Sequence, residues 1–387
     1  MSIVKLDIDD AGLTARGKRD QMRILQILHD DERGGVQKLA GMIEAALGSH
    51  RAAVETAYLY PRPGLPPYTK LVYVWRMAHR IWNADADVLV AYQSTASVLA
   101  GVVGWLAGCK LRVVHQTCIP SELPRPLRLL DMLSGALGLY TANIINSAAT
   151  WAEFAAYPAR YRRSMILIEH GIDAPAPVTN RDATRRRFGL PQTQPILLNV
   201  GRLTAQKNQD VLIRALACLP QAHLVLAGAG GSAAAFHTLA VTLGVDDRLH
   251  ILGALAADDI ADLYAASDVF VFPSTWETFG LAAVEAGMAK MPMAVADLPV
   301  LREVLRAGGE RVAFVAPDDV EGWIAAIARA LQAVPSERGA SAFARALCAK
   351  YSSQRMIESY LSLFEAHRRH QRVGLQELAP AAEKVQP

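Results

Sequence analysis

This chain has almost no excess of charge of one sign. Its 387 residues carry 40 Lys and Arg against 37 Asp and Glu, which gives a formal net charge of +3. An excess this small does not by itself imply a nucleic-acid partner, and we expect none. Charged residues make up 20% and hydrophobic residues 52% of the chain, which fits a folded α/β protein and argues against disorder. The length favours two domains, each with its own core.

Paired cysteines are missing as well. The four cysteines are scattered and form no Cys-x-x-Cys pair, so we expect free thiols in a reducing compartment. The amino terminus has acidic residues where a signal peptide needs a basic region and an apolar core. The most apolar longer stretch, residues 96–109, is too short to span a membrane. A cytoplasmic protein is therefore expected.

Short β-rich runs alternate with helical patterns along both halves of the chain. Such alternation predicts parallel sheets with helices on both faces, joined by right-handed crossovers. The fold class is then α/β, with two Rossmann-like domains facing a cleft. Ligands of these folds bind beyond the carboxyl ends of the strands, so candidate residues should follow strands.

The most informative stretch is residues 273–285, PSTWETFGLAAVE. The apolar run before it is typical of a buried strand, and the run from Leu281 is typical of a helix that begins near Gly280. Free amides at the start of a helix bind phosphate. Glu277 lies just before this helix and Glu285 about two turns along it, which suits a phosphorylated ligand with hydroxyl groups. The alternative is an ordinary strand and helix with one surface and one buried, paired glutamate.

A second element, residues 199–208, also follows a strand and precedes a helix. Gly201 permits a sharp turn at the strand end. Arg202 and Lys207 then project into the same cleft mouth, where two cations can neutralise a diphosphate. Taken alone, the segment could equally be a solvated loop with two surface cations.

Together these elements resemble the retaining family 4 glycosyltransferases (glycosyl transferases group 1) of the GT-B fold. The resemblance implies that Glu277 contacts the hydroxyls of the donor sugar and Glu285 the ribose of the nucleotide. The backbone of Phe279, Gly280 and Leu281 would hold the distal phosphate of the donor.

The same resemblance assigns the donor diphosphate to Arg202 and Lys207. No Asp-x-Asp motif stands out as a metal clamp, and the two cations can supply the charge, so we expect neither metal nor cofactor. Arg202, Lys207, Glu277 and His115 are the expected catalytic residues. Relatives often have a His that contacts a donor hydroxyl where His115 ends a strand, although a lone His in that place is more often structural.

Weaker signals complete the expected site. Gly34 and Gly35 open the first helix and resemble the family's Gly-Gly loop, which reaches toward the donor phosphate and the acceptor. Gly253 lies where relatives place main chain against the nucleotide base. Residues 297–303 lack the glycines that relatives often have there, but Glu303 keeps the family's acidic position.

The expected domains are 1–172, an acceptor-binding Rossmann-like domain, and 173–352, a domain that binds the nucleotide sugar. Residues 171–177, rich in proline, form the best linker. His170 replaces the Asn that is usual at the family's hinge. Residues 353–370 form a helix that crosses back to the first domain, and residues 371–387 form a flexible tail.

The implied function is retaining transfer of a sugar from a UDP- or GDP-sugar to a glycan or lipid-linked glycan, as in cell-surface polysaccharide synthesis. A sugar-nucleotide epimerase of the same fold and an inactive nucleotide-sugar-binding partner are the alternatives.

Basic and aromatic residues of the first domain could rest on anionic lipid at the cytoplasmic face of the inner membrane, although solvated helix faces explain them equally well. They are Arg76, His79, Arg80, Trp82, Arg125, Arg128, Arg160, Tyr161, Arg162 and Arg163.

Overall fold

The structure is a computed structural model that describes residues 22–30, 35–48, 52–62, 65–333 and 337–370. Its named strands form two six-stranded sheets in which every neighbouring pair is parallel. Helices connect the strands and cover both faces. The two-sheet α/β architecture expected from the alternating pattern is confirmed.

The first sheet has the strand order β2-β1-β3-β4-β5-β6. Its strands are β1 (Met22–Leu28), β2 (Ala52–Tyr58), β3 (Val88–Tyr92), β4 (Leu111–His115), β5 (Ala142–Ile145) and β6 (Met165–Leu167). Its helices are α1 (Gly35–Gly48), α2 (Pro67–Asn83), α3 (Ser94–Leu106), α4 (Arg125–Ala136), α5 (Ala148–Ala152) and α6 (Ala159–Arg163).

The second sheet has the order β12-β11-β10-β7-β8-β9. Its strands are β7 (Ile196–Val200), β8 (His223–Ala227), β9 (Leu249–Gly253), β10 (Val269–Phe272), β11 (Met293–Ala296) and β12 (Val312–Val315). Its helices are α7 (Arg181–Arg187), α8 (Gln209–Ala217), α9 (Ala233–Leu243), α10 (Ala257–Ala266), α11 (Leu281–Met288), α12 (Pro299–Val304), α13 (Val320–Gln332) and α14 (Glu337–Lys350), and the last helix of the chain is α15 (Ser353–His370).

Two apolar clusters lie on opposite faces of the first sheet. One contains buried side chains of α2, α3 and α6, for example Met77, Ala100 and Tyr161. The other contains buried side chains of α1 together with α15. Because both faces of the central strands are covered, β3 and β4 are apolar at nearly every position and fully buried.

The final helix returns to the first domain, as the family resemblance implies. Met356, Tyr360 and Phe364 of α15 are buried in the cluster that contains α1. The chain passes close to the linker on its way, since a Cβ built on Gly171 would lie 2.6 Å from the Ser353 Cα. No helix within the described ranges is long and apolar enough to cross a membrane.

Candidate functional site

The loops that follow β7 and β8 are packed backbone against backbone. The Gly201 amide donates to the Ala227 carbonyl at 3.1 Å, and the Leu203 amide donates to the Ala229 carbonyl at 2.9 Å. A Cβ built on Gly228 would overlap the Gly201 carbonyl oxygen, so this approach requires glycine. The glycines after β8 therefore bring two strand ends together into one continuous edge of the cleft.

The loop after β10 is joined to the loop after β7. The Thr275 amide donates to the Gln206 carbonyl at 2.8 Å, and the Gln206 side-chain amide donates to the Trp276 carbonyl at 3.0 Å. These bonds hold the segment that carries Lys207 against the segment that carries Glu277.

Lys207 and Glu277 form an ion pair that is largely shielded from water. The Lys207 ammonium also lies 5.1 Å from the centre of the Phe272 ring. Because an ion pair of low exposure is screened less than one at the surface, it fixes both groups in one geometry at the strand ends. The two residues predicted to bind diphosphate and sugar are thus brought together. Arg202 is exposed on the same loop, and its carbonyl accepts a hydrogen bond from Gln209 at 2.9 Å.

Helix α11 begins as the sequence predicts, with Gly280 as its N-cap. Gly280 has φ 87° and ψ 53°, a left-handed conformation that favours glycine. Phe279 is buried, and its ring meets the rings of His170 and Tyr351 edge to face at 5.1 and 5.2 Å. The buried ring and the left-handed glycine fix the position at which α11 begins, and the first amides of a helix have no partner within it.

Glu285, in the second turn of α11, is held by groups from both domains. Its Oε1 lies 2.7 Å from the Lys38 Nζ of helix α1, and its Oε2 accepts a hydrogen bond from the Tyr264 hydroxyl at 3.1 Å. Burial, followed by the negative charge of Glu285, raises the pKa of the Tyr264 hydroxyl well above its usual range. Tyr264 therefore stays a hydrogen-bond donor, and the carboxylate stays oriented.

The first domain reaches this helix through the start of α1. A Cβ built on Gly35 would lie 2.5 Å from Leu281 Cδ1, so Gly35 and Leu281 lie in direct apposition. Gly34 lies outside the described residues. Of the predicted site residues, Leu281 of the second domain and Gly35 of the first are therefore brought together.

A polar seam joins the domains beside the site. The Thr278 carbonyl accepts hydrogen bonds from the Ser147 and Thr150 hydroxyls, both at 3.0 Å. Glu303 accepts from the first two amides of α5, with Ala148 at 2.9 Å and Ala149 at 2.7 Å. A carboxylate at a helix N-terminus satisfies amides that lack partners within the helix. Glu303 of α12 thus caps a helix of the other domain.

His115, predicted to contact the donor, is buried at the end of β4. Its ring stacks between Tyr92 at 4.5 Å and Tyr360 at 5.6 Å, and the Tyr360 hydroxyl lies 3.3 Å from Nε2. Burial, with a smaller effect of the nearby His170, lowers the pKa of His115 to about 3. The imidazole is therefore neutral near pH 7. The predicted contact of His115 with the donor stays a prediction.

His170, at the linker, lies between the domains. Its Nε2 lies 3.0 Å from Asn146 Nδ2, and the Asn146 amide also donates to the Thr278 hydroxyl at 3.2 Å. Burial lowers the pKa of His170 to about 4, so it too is neutral near pH 7. The polar contact with the second domain is thus made by Asn146, and His170 itself contacts that domain through the Phe279 ring.

The chain does contain an Asp-x-Asp sequence, at Asp85 and Asp87, which the sequence analysis passed over. The structure places it before β3, at the amino end of that strand and away from the cleft. Arg23 engages both residues, through its side chain with Asp85 and through its amide with Asp87. Within the described ranges no three His, Cys, Asp or Glu side chains gather as a metal site would need.

Known proteins resemble this chain in sequence and in fold. The family described as glycosyl transferases group 1 matches residues 180–346. A D-inositol 3-phosphate glycosyltransferase of Thermobispora bispora is 30% identical over 309 residues, which cover 71% of this chain and 71% of that protein. The chain belongs to the group 1 glycosyl transferases.

Other members of the family match over shorter lengths. The D-inositol 3-phosphate glycosyltransferase of Mycolicibacterium smegmatis is 37% identical over 165 residues, which cover 41% of this chain and only 37% of that protein. The matched region thus spans well under half of this relative.

Solved structures show that the GT-B fold of this family is shared. Anabaena HepE in complex with UDP and glucose aligns with a TM-score of 0.76 at 21% identity, covering 89% of this chain and 100% of HepE. Sucrose-phosphate synthase of Thermosynechococcus elongatus aligns with a TM-score of 0.74 at 18% identity, covering 90% and 99% of the two chains.

Sequence reasoning missed the residues that act across the domains. Lys38, Asn146, Ser147 and Thr150 all contact the second domain in the structure. The sequence signal for Lys38 was weak. Lys38 lies three positions after Gly35, in the first turn of helix α1, which begins at the cleft. Asn146 and Ser147 directly follow β5. Because ligands of these folds bind beyond the carboxyl ends of strands, that position was a signal by which they could have been found.

Proposed function

We propose that this chain transfers a sugar, with retention of anomeric configuration, from a UDP- or GDP-sugar to a glycan or lipid-linked glycan acceptor. The observation that carries the proposal is the shielded Lys207–Glu277 ion pair at the strand ends. It lies in the same cleft edge as the start of α11 and the oriented carboxylate of Glu285. Such a site has a cation for phosphate and carboxylates for hydroxyl groups.

Donor binding divides between the two glutamates. Glu285 would accept hydrogen bonds from the ribose hydroxyls of the nucleotide, in exchange for its bond to Lys38. Glu277 would hold the hydroxyls of the sugar, while Lys207 and the exposed Arg202 neutralise the diphosphate. The first amides of α11 would bind the distal phosphate, since a helix N-terminus favours negative charge.

Transfer breaks the bond between the anomeric carbon and the distal phosphate oxygen. The bonding pair leaves with the nucleotide diphosphate, and Lys207, Arg202 and the α11 amides stabilise the charge that develops there. An acceptor hydroxyl attacks from the face of the leaving group, and its proton passes to the departing phosphate. Because Glu277 is paired with Lys207, it serves to position the sugar, and the two glutamates are not a glycosidase acid and nucleophile.

His115 would act as a neutral group. Its low pKa means that it can donate or accept a hydrogen bond without carrying charge. A contact of its backbone or ring with a donor hydroxyl is compatible with its place at the end of β4. Metal independence follows from the two cations, which supply the charge that a metal clamp would otherwise provide.

The acceptor and the cellular role rest on analogy with relatives. The T. bispora relative acts, by its name, on D-inositol 3-phosphate. A structural neighbour, WaaG, is described as involved in lipopolysaccharide biosynthesis. We place this chain in the cytoplasm, in the synthesis of a cell-surface polysaccharide or lipid-linked glycan. UDP-glucose is the donor to try first, because HepE binds UDP and glucose.

The test is turnover of a panel of UDP- and GDP-sugars with and without acceptor, in the presence of a metal chelator. Glu277→Ala should abolish transfer, and Glu277→Gln should lower kcat by about a hundredfold or more, as loss of a preorganised polar contact does. Glu310→Gln, at an exposed position of the 3-10 helix Arg306–Arg311, serves as the matched control. Turnover without any acceptor would favour an epimerase, and donor binding without turnover would favour an inactive partner. A fully active Glu277→Ala variant would overturn the assignment of Glu277.

A further inference from the structure

Most of the large apolar side chains that are exposed in the described part of the chain lie on three helices of the first domain. Helices α2, α3 and α4 lie side by side, with α3 in the middle. Three of the tryptophans are among these side chains: Trp75 is 68% exposed, and Trp82 and Trp105 are each 57% exposed. Indole rings at such exposure mark an interaction surface more often than scattered surface leucines do.

Helix α2 has two apolar faces, and the core uses one. Met77 and Ile81 are buried against the sheet. The exposed residues recur at intervals of three, four and seven positions, which places them in one stripe on the opposite side. This stripe consists of Tyr68, Leu71, Val72, Trp75 and Trp82.

The neighbouring helices extend the stripe into a continuous area. Helix α3 contributes exposed side chains near its carboxyl end, and α4 contributes an exposed row of leucines with helical spacing. We call the whole area the α2–α4 face, which consists of the α2 stripe with Val102, Trp105, Leu106, Leu129, Leu130, Leu133 and Leu137.

The solvent-exposed charges carried by these three helices have one sign. Helices α2, α3 and α4 contain a single acidic residue, Asp131, and it is buried. Their basic residues are Lys70, Arg76, Arg80, Arg125 and Arg128.

Two further contacts complete the rim of the face. Arg80 is paired with Glu55 of β2. The rim continues on α6, whose Arg160 side chain lies against Gly138, just beyond the end of α4. Tyr161 does not belong to the surface, contrary to the sequence-based expectation, because it is buried and its hydroxyl donates to Asp131 at 2.8 Å.

We propose that the α2–α4 face docks onto the surface of a lipid bilayer that contains anionic lipids. Tryptophan and leucine side chains insert at the boundary between headgroups and acyl chains, and the basic rim attracts the negative headgroups. A symmetric contact with a second copy would bring the two basic rims together, so charge complementarity favours the lipid.

The placement of the face fits this occupant. Helices α2 and α4 begin where the chain leaves the carboxyl ends of β2 and β4, at the cleft edge of the first sheet. A bilayer under the face would therefore lie along the side of the first domain, with one end of the face beside the cleft. The docking rests on the apolar helices and the basic rim, so it stands or fails independently of the donor chemistry.

The test is co-sedimentation of the full chain with vesicles of phosphatidylcholine alone and of phosphatidylcholine mixed with phosphatidylglycerol. One variant combines Trp75→Ser, Trp82→Ser and Trp105→Ser, and a second combines Arg76→Gln, Arg125→Gln and Arg128→Gln. The matched control combines Val178→Ser and Val241→Ser, because these valines are 71% and 53% exposed but lie outside the face. Circular dichroism checks that each variant is folded.

Wild type and control should bind the anionic vesicles, and added salt should weaken the binding. The arginine variant should bind about a hundredfold more weakly, since each basic residue near an anionic surface is worth roughly a factor of five. The tryptophan variant should lose binding to a similar extent. Absence of binding to anionic vesicles, or equal loss in the valine control, would overturn the proposal. Tryptophan-dependent dimerisation without vesicle binding would overturn it too and assign the face to a second copy.

Discussion

Lys207 and Glu277 lie 70 positions apart in the chain and pair across two loops. The sequence predicts both as donor ligands because each follows an apolar strand, and parallel strands end at the same edge of a sheet. It does not predict that they bind each other, because that pairing depends on the hydrogen bonds between Thr275, Gln206 and Trp276. The contact between Lys38 and Glu285 is harder still to predict from the sequence, since it depends on how the two domains meet.

His115 and His170, whose pKa values are lowered, should make stability depend on pH. The pKa is lowered to about 3 for His115 and about 4 for His170, both below the ordinary 6.5. Above pH 6.5 both histidines are neutral in the folded and in the unfolded chain, so they do not change the free energy of unfolding. As the pH falls, the unfolded chain binds protons that the folded chain excludes, so stability is progressively lost. At pH 5 each histidine should cost about 2 kcal/mol of the free energy of unfolding.

Urea unfolding at pH 7 and pH 5 measures this loss, and His115→Phe is the variant to compare. Phenylalanine keeps a ring between Tyr92 and Tyr360 but cannot bind a proton. The variant should lose about 2 kcal/mol less than the wild type on acidification. Equal losses in the two proteins would show that His115 is not the buried neutral group described above.

At the scale of single elements, the sequence predicted the strand β10, the turn at Gly280 and the helix α11. Their signals are local: an apolar β-rich run, a glycine, and an Ala- and Leu-rich run. By their position the glycines of residues 228–231 could approach the donor, but they lack a full Gly-x-Gly-x-x-Gly pattern. The structure gives them a different task, because Gly228 lets this loop pack on the Gly201 carbonyl. Contacts between backbones of different loops have no periodic pattern from which they could be predicted.

Two glycines of this loop form a matched pair for a test. A Cβ on Gly228 would overlap the Gly201 carbonyl, whereas a Cβ on Gly231 would have no heavy atom within 4 Å. Gly228→Ala should therefore lower the free energy of unfolding by about 1–3 kcal/mol and weaken donor binding, as overpacking against backbone does. Gly231→Ala should change neither. Urea unfolding and donor titration provide the comparison, and an unaffected Gly228→Ala would contradict the proposed role of the close approach.

At the scale of the whole molecule, the sequence predicted two α/β domains and a last helix that returns to the first domain. Alternating strands and helices carry the first prediction, and the apolar stripe of α15 with the family resemblance carries the second. From the sequence, the basic residues and Trp82 of the α2–α4 face were predicted as a candidate lipid surface, but the exposed apolar stripe and the polar seam were not. Both depend on which helix faces remain uncovered after packing, and the two apolar faces of α2 cannot be ranked from sequence.

The Glu303 contact with α5 is the part of the seam most open to experiment. Glu303→Gln removes the charge and leaves one acceptor oxygen for two amides. The loss of a helix cap costs about 1 kcal/mol, so hydrogen exchange at Ala148 and Ala149 should accelerate roughly five- to tenfold. Glu310→Gln, which lies on the adjacent exposed turn, should leave exchange in α5 unchanged. Unaltered protection in the Glu303 variant would show that the carboxylate does not hold the domains together.

A nucleotide sugar should bind at the cleft edge formed by Lys207, Glu277 and Glu285. Thermal unfolding of the purified protein with UDP-, GDP- and ADP-sugars, without added metal, tests it most directly. One nucleotide should raise the Tm by about 5 °C at a concentration well above its Kd. The shift should vanish in Glu285→Ala and persist in Glu310→Ala. No shift with any donor, or a full shift in Glu285→Ala, would contradict the claim.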